Sequence, residues 1–230
     1  MHMLLMRPNG QWADGTTRRV PIVRERARKY GPILDERVIS VRKDLLIAGP
    51  NASGKTRWLA KLDDKAGEIW AKQPKLFLRA TEPLQRWCED DRVIAWAEQH
   101  HGRAWSKLRA FERVDALVHW VHERKAVLLL DDAHKLTGRK LDVVLQLCRA
   151  CGRLIIGTWS EPSLPMSLRL LLDRRDPQRI HLQSEAAYDI TSLALWLLML
   201  AALMIGWWQL AAVVAGMKVL AGGRRAARQH

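Results

Sequence analysis

Apolar residues are spread unevenly along the 230-residue chain. From position 44 onward, short apolar runs alternate with longer segments of helical spacing. DLLIA at 44–48, KLFL at 75–78, AVLLL at 126–130, RLII at 153–156 and RIHL at 179–182 predict five strands. Most of these are nearly unbroken apolar runs, as in parallel strands covered on both faces. Between them the spacing predicts helices over 56–70, 83–125, 141–151 and 167–173. In the long one, Trp105, Leu108, Phe111, Val114, Val118 and Val121 recur every three or four residues, which is one buried face. Strands of four to five residues between helices predict an α/β fold of three layers with a mostly parallel five-stranded sheet.

The two ends break this rhythm. Residues 1–43 are polar and arginine-rich, with turn formers at Pro8-Asn9-Gly10, Asp14-Gly15 and Gly31-Pro32, and show no strong period. They are expected to form a basic N-terminal arm. Its cluster of Arg18, Arg19, Arg24, Arg26, Arg28 and Lys29 fits either a solvated face or an anionic partner. At the other end, residues 190–217 are 28 consecutive positions without a charge. As a helix they would run about 42 Å, against roughly 30 Å of bilayer hydrocarbon. This predicts a C-terminal transmembrane helix, with a buried or oligomer-forming helix as the other reading. A re-entrant segment broken at Gly206-Trp207-Trp208-Gln209 also fits. Residues 218–230 form a short basic tail.

Composition narrows the class. With 48% hydrophobic residues and three cysteines, the chain is neither disordered, collagen-like nor a disulfide framework. Cys148 and Cys151 form a CxxC, but a zinc site needs a second ligand pair. Cys148 also continues the spacing of Leu141, Val144 and Leu145, so buried thiols are expected, as for Cys88. His100-His101 and His119 with His122 read as ordinary helix positions. The first residues are too short for a signal h-region, so the chain is expected to begin in the cytosol. With 38 Lys+Arg against 24 Asp+Glu, the net charge of +14 points to an anionic partner: nucleic acid, lipid headgroups or nucleotide phosphates.

The strongest chemical signal is Gly49-Pro50-Asn51-Ala52-Ser53-Gly54-Lys55-Thr56, a complete G-x-x-x-x-G-K-[ST]. It follows an apolar strand and opens a helix, as the chemistry requires. Amide groups of such a loop converge on phosphate oxygens at a helix N-terminus. Lys55 would reach the β- and γ-phosphates of ATP, and the Thr56 hydroxyl would join the Mg2+ shell. A second apolar strand ends in Asp131-Asp132. Asp131 sits where an acid would hold magnesium, and Asp132 where a carboxylate would polarise the attacking water. Each alone also fits a helix-capping acid.

With GPNASGKT, LLLDDAH, RLIIGTWS and LRLLLDRRDPQRIHL in view, residues 40–183 resemble the additional-strand P-loop ATPases, the AAA+ and STAND families. The resemblance implies a P-loop ATPase core over 44–185. It implies a γ-phosphate sensor at Thr158, with Ser160 second. It also implies an arginine finger at Arg174 or Arg175 acting on a neighbouring subunit's ATP. Two surface arginines beside Asp173 and Asp176 are the plainer alternative. AAA+ proteins usually carry Glu where Asp132 stands, and they continue into a helical lid where this chain turns apolar.

The function expected is a membrane-anchored, single-pass ATP-binding protein with its ATPase core on the cytosolic side. It would bind and hydrolyse Mg-ATP to drive or switch an unidentified protein partner, as a homo-oligomer. The alternatives are a DNA-associated AAA+-like ATPase of a mobile element, phage or replication system, and a nucleotide-dependent assembly protein without turnover. A nucleotide kinase fits less well, since no arginine-rich lid or second substrate motif is present.

Overall fold

Uninterrupted apolar strands must be covered on both faces, and the central sheet of this chain meets that demand. The computed structural model describes residues 2–26, 32–71 and 73–182. Five parallel strands, β4 (Leu45–Ala48), β5 (Lys75–Arg79), β6 (Val127–Asp131), β7 (Arg153–Thr158) and β8 (Gln178–His181), lie in the order β5-β6-β7-β4-β8. β7 is thus inserted between the strand that leads into the P-loop and the strand that ends in Asp131. That is the additional strand the resemblance implies.

Side chains alternate between the two faces of this sheet. Leu45, Ile47, Val127, Leu129 and Ile155 point to one side, where Trp58, Leu59 and Leu62 of α1 (Lys55–Asp64) and Ile69 of α2 (Ala66–Ile69) cover them. Leu46, Leu128, Leu130, Leu154 and Ile156 point to the other. They pack there against Leu117 and Val121 of α5 (Ala110–Arg124), Val144 and Leu147 of α6 (Gly138–Ala150), and Leu168 and Leu172 of α7 (Met166–Arg175). The three layers expected from the apolar rhythm are present.

The helical stretch expected over 83–125 is broken into pieces by its own polar residues. After α3 (Leu84–Trp87), Asp90 caps α4 (Asp91–His101) by accepting the Arg92 N–H at 2.9 Å. Gly102 closes it in the left-handed region at φ 62°. A 3-10 turn at Trp105–Lys107 follows, and Glu112 accepts the Arg109 N–H at 2.6 Å to start α5. The helix expected over 56–70 is likewise split at Lys65 into α1 and α2.

Residues 1–43 depart most from expectation. Where a basic arm is expected, the described residues form an antiparallel sheet of β1 (His2–Gln11), β2 (Thr17–Arg26) and β3 (Ile33–Val38) in the order β1-β2-β3. Leu4, Val23 and Ile39 enter the same core as Leu45, Ile47 and Trp58. Hydrogen bonds tie the sheet down: Lys61 Nζ donates to the Leu4 carbonyl at 2.7 Å, and Trp12 Nε1 to the Glu68 carbonyl at 2.9 Å. The basic cluster is spent on neighbours too. Arg18 lies over the Trp12 ring, Arg19 pairs with Glu68, and Arg24 meets Glu36 at 2.8 Å. Arg28 and Lys29 lie outside the described residues.

The apolar stretch 190–217 and the tail 218–230 also lie outside the described residues. Among those described, no helix is long and apolar enough to cross a membrane.

Candidate nucleotide site

All the loops that carry candidate chemistry leave the carboxyl ends of adjacent parallel strands, which brings them together although they are far apart in sequence. The P-loop follows β4, Asp131 ends β6, and Thr158 ends β7, where it pairs in register with Ala48.

The loop 49–54 has the backbone of an anion cradle. Ala52 and Gly54 both lie at positive φ, 62° and 89°. A residue with a Cβ pays a steric penalty there, so the conformation at Ala52 is imposed by the loop as a whole. Among the described residues, the amides of Asn51, Ala52 and Gly54 find no backbone acceptor, whereas Ser53 N–H donates to the Pro50 carbonyl at 3.2 Å. The Ser53 hydroxyl is buried and also unpartnered. Gly49 N–H reaches back to the carbonyls of Thr158 and Trp159 at 3.2 and 3.1 Å. A Cβ on Gly49 would fall 2.7 Å from both the Leu182 carbonyl and the Ser53 hydroxyl, so only glycine fits this floor.

Lys55 opens α1 and is buried, 7% exposed. Its ammonium folds back into the loop and donates to the Gly49 and Pro50 carbonyls at 2.7 and 2.8 Å. Burial lowers its pKa, and the negative fields of Asp132 and Asp131 oppose the shift. Both acids therefore lie within electrostatic reach of the P-loop lysine. Thr56 follows in the first turn of α1 and is exposed.

Asp131 is 4% exposed and accepts the Asp132 N–H at 2.9 Å. Gly157 on the neighbouring strand makes room for it: a Cβ there would sit 2.7 Å from Leu59 Cδ1 and 3.1 Å from Asp131 Oδ1. Asp132 turns out of the strand at φ 56°, a left-handed conformation that aspartate tolerates better than most residues. Its carboxylate accepts from Lys135 Nζ at 2.7 Å.

Thr158 is fully buried, and its hydroxyl donates to the Ser160 carbonyl at 3.2 Å. The implied sensor thus stands between the two key strands, with its hydroxyl engaged by the turn that starts α7. Ser160 takes part in that turn, its amide meeting Ser163 Oγ at 3.2 Å.

Arg175 requires a correction. It is not a free finger but one half of an interior ion pair with Asp44, whose side chain is 5% exposed. Arg175 also donates to the Cys148 carbonyl at 2.6 Å, and Asp44 accepts the Leu154 N–H at 2.9 Å. The reason is geometric. α7 runs back along the sheet, so its C-terminus reaches the amino ends of the strands, where Asp44 precedes β4. Arg174 is exposed, with no ion pair among the described residues. It lies at the same amino edge, away from its own P-loop.

Three residues join the site without a motif to announce them. Lys135 holds Asp132. His134 Nδ1 faces the Trp159 amide at 3.4 Å, linking the acid loop to the end of β7. Burial holds the His134 pKa below its ordinary value, and Asp132 pulls the other way. Trp159 is half exposed beside them. Their only sequence signal is adjacency to the acids and to Thr158. The three cysteines are buried free thiols, as the apolar spacing implies, and no group of three metal-ligating side chains occurs among the described residues.

Strand order, glycine-floored loop, buried lysine and paired acids together decide the architecture. The fold is that of a P-loop NTPase. No family model matches the sequence, and no curated protein does. Among solved structures, the chain is similar to Cdc6p from Pyrobaculum aerophilum at 17% identity and a TM-score of 0.38, covering 60% of this chain and 38% of that one. It is similar to the Aeropyrum pernix Orc1 protein, solved in complex with DNA, at 18% identity and a TM-score of 0.38, covering 61% and 39%. The chain thus spans well under half of either neighbour. At these scores the likeness carries no weight of its own beside the strand order and the P-loop geometry.

Proposed function

We propose that this chain binds Mg-ATP in the cradle 49–56 and hydrolyses it, as a switch or motor for a partner assembly. The observation that carries this reading is Lys55, buried inside the loop and within the fields of both Asp131 and Asp132. A lysine held on two carbonyls, with unspent amides around it, is prepared to exchange those carbonyls for phosphate oxygens. The glycine floor at position 49 and the unpartnered Ser53 hydroxyl fit the same ligand.

Thr56 and Asp131 are the residues that would hold the magnesium, which when bound neutralises charge on the phosphates. Asp132 would orient the attacking water. One oxygen of its carboxylate accepts from Lys135, which leaves the other free to meet a water. Thr158 would report on the γ-phosphate, and Arg174 would serve a neighbouring subunit's nucleotide.

The test uses the full chain. Lys55→Ala should abolish ATP binding, and Asp132→Asn should keep binding while losing phosphate release. Unchanged ATP binding by Lys55→Ala would overturn the site. Binding without release in the parent chain would favour an assembly protein without turnover.

The uncharged stretch 190–217 supports a membrane tether, and the need for ATP would put the nucleotide site on the cytosolic side. The net charge of +14 favours a second reading, a DNA-associated ATPase. Salt-sensitive stimulation of ATP hydrolysis by duplex DNA would select the second reading. Co-flotation with neutral lipid vesicles at high salt would select the first.

A further inference from the structure

On the β5 side of the sheet, a cavity of about 240 Å3 lies apart from the P-loop and plays no part in the nucleotide reading. It opens between α3, the 3-10 turn at Trp105–Lys107, α5 and the first turn of α6. Leu84, Cys88, Trp105, Ala110 and Val114 give it a largely carbon lining. Its charged groups are Arg113, Arg139 and Glu89.

These charges are not balanced among themselves. Glu89 is already engaged by Arg86 at 3.1 Å. Arg113 lies over the Trp105 ring, 5.4 Å from its centroid, and makes one long contact to the Ser106 carbonyl at 3.4 Å. Its Nε is buried without a partner. Arg139 is exposed at the mouth, and among the described residues no carboxylate pairs with either guanidinium. A buried N–H donor left unspent is costly, and its natural complement is an acceptor brought by a ligand. Burial pushes the Cys88 thiol on the cavity wall up to about 11, although the positive field of Arg113 pulls it down.

The geometry points to a binding site for a small organic acid, a single carboxylate on an aromatic or branched aliphatic body. The carboxylate would meet Arg113 and Arg139, whose planar forks match it in two-point contact. The body would lie against Trp105, Leu84 and Val114. Drug-sized pockets run to roughly 300–1,000 Å3, so this one takes a ligand of roughly ten to fifteen non-hydrogen atoms. Glu89 on the wall disfavours polyanions, which separates this site from that for a nucleotide.

The test is a ligand-observed NMR titration of the full chain with 4-phenylbutyrate, using 4-phenylbutyramide as the uncharged control. Saturable binding of the acid is expected with a Kd of about 1 mM or tighter. The amide should bind about tenfold more weakly, since it loses the charge-assisted pair. Arg113→Met removes the guanidinium that lies over Trp105 but keeps an unbranched apolar side chain on α5, and should weaken the acid to the level of the amide. Arg139→Gln, at an exposed position, should weaken it in the same direction and carries the comparison if Arg113→Met does not fold. Equal binding of acid and amide, wild-type affinity in Arg139→Gln, or no saturable binding of the acid would each overturn the proposal. ATP binding plays no part in the readout, so failure of the nucleotide site would leave the result unchanged.

Discussion

The two sheets of this molecule are built on opposite terms. In the five-stranded parallel sheet, every residue of β4 and β6 is buried, and the two faces share one run of aliphatic side chains. In the three-stranded antiparallel sheet, burial is confined to Leu4 of β1 and Pro21, Ile22 and Val23 of β2 among the strand residues, while β3 exposes Ile33, Leu34 and Val38. Its cohesion comes from ladder hydrogen bonds and from ion pairs at its surface, such as Arg24 with Glu36. The parallel sheet owes its stability to area removed from water, and the chemistry sits on its carboxyl rim. The antiparallel sheet acts as a cover for α1 and α2.

Several substitutions would break or sharpen this contrast. The largest loss is expected for Leu129→Ala in β6, which leaves a cavity between α1 and the sheet. Urea unfolding should show a destabilisation of about 3 kcal/mol. Leu34→Ala, at the edge of β3, should stay within about 0.5 kcal/mol. Equal losses would mean that the cover bears as much load as the core. Next come the ion pairs. Arg175→Met leaves Asp44 buried without its partner and should cost roughly 3 kcal/mol. Arg24→Ala, in an exposed pair, should cost at most about 1 kcal/mol. A thermal melt that ranked these two in reverse would remove the distinction between the sheets.

The smallest effect is one of pH. The folded His134 resists protonation, because burial lowers its pKa below the ordinary 6.5. The unfolded chain takes up that proton at about 6.5. The folded state should therefore lose stability as pH falls below that value, and lose none above it. His134→Gln should flatten this part of the curve, as read from urea midpoints between pH 7 and pH 5, roughly the window in which histidine titrates. An unchanged slope would mean that His134 titrates as freely as in the unfolded chain.

The same contrast explains what could be read from the sequence. Unbroken runs such as LLLD at 128–131 announce buried parallel strands, and the glycine-rich loop announces its phosphate chemistry. Ala52 and Asp132 adopt positive φ within stretches that the motif and the acid pair already mark. β2 was illegible for a physical reason. Its TRRVPIVRER mixes charges, a proline and apolar residues, because its arginines reach Glu36 and Glu68 on other elements. Such partners are invisible to local periodicity. Arg175 misled for the same cause: its neighbour Asp44 is 131 residues away in sequence, and only the return of α7 brings them together. Lys135 and His134 carried no spacing signal, since their roles come from the tight turn at Asp132.

The proposed role of Arg174 would constrain any assembly of this chain. The P-loop opens at the carboxyl edge of the parallel sheet, and Arg174 stands at the amino edge. For that arginine to touch a neighbour's nucleotide, the front of one subunit must face the back of the next. Unlike surfaces joined in this way cannot close as a two-fold dimer. Repeated, they generate either a ring, when the rotation per subunit divides a full circle, or an open helical filament when it does not.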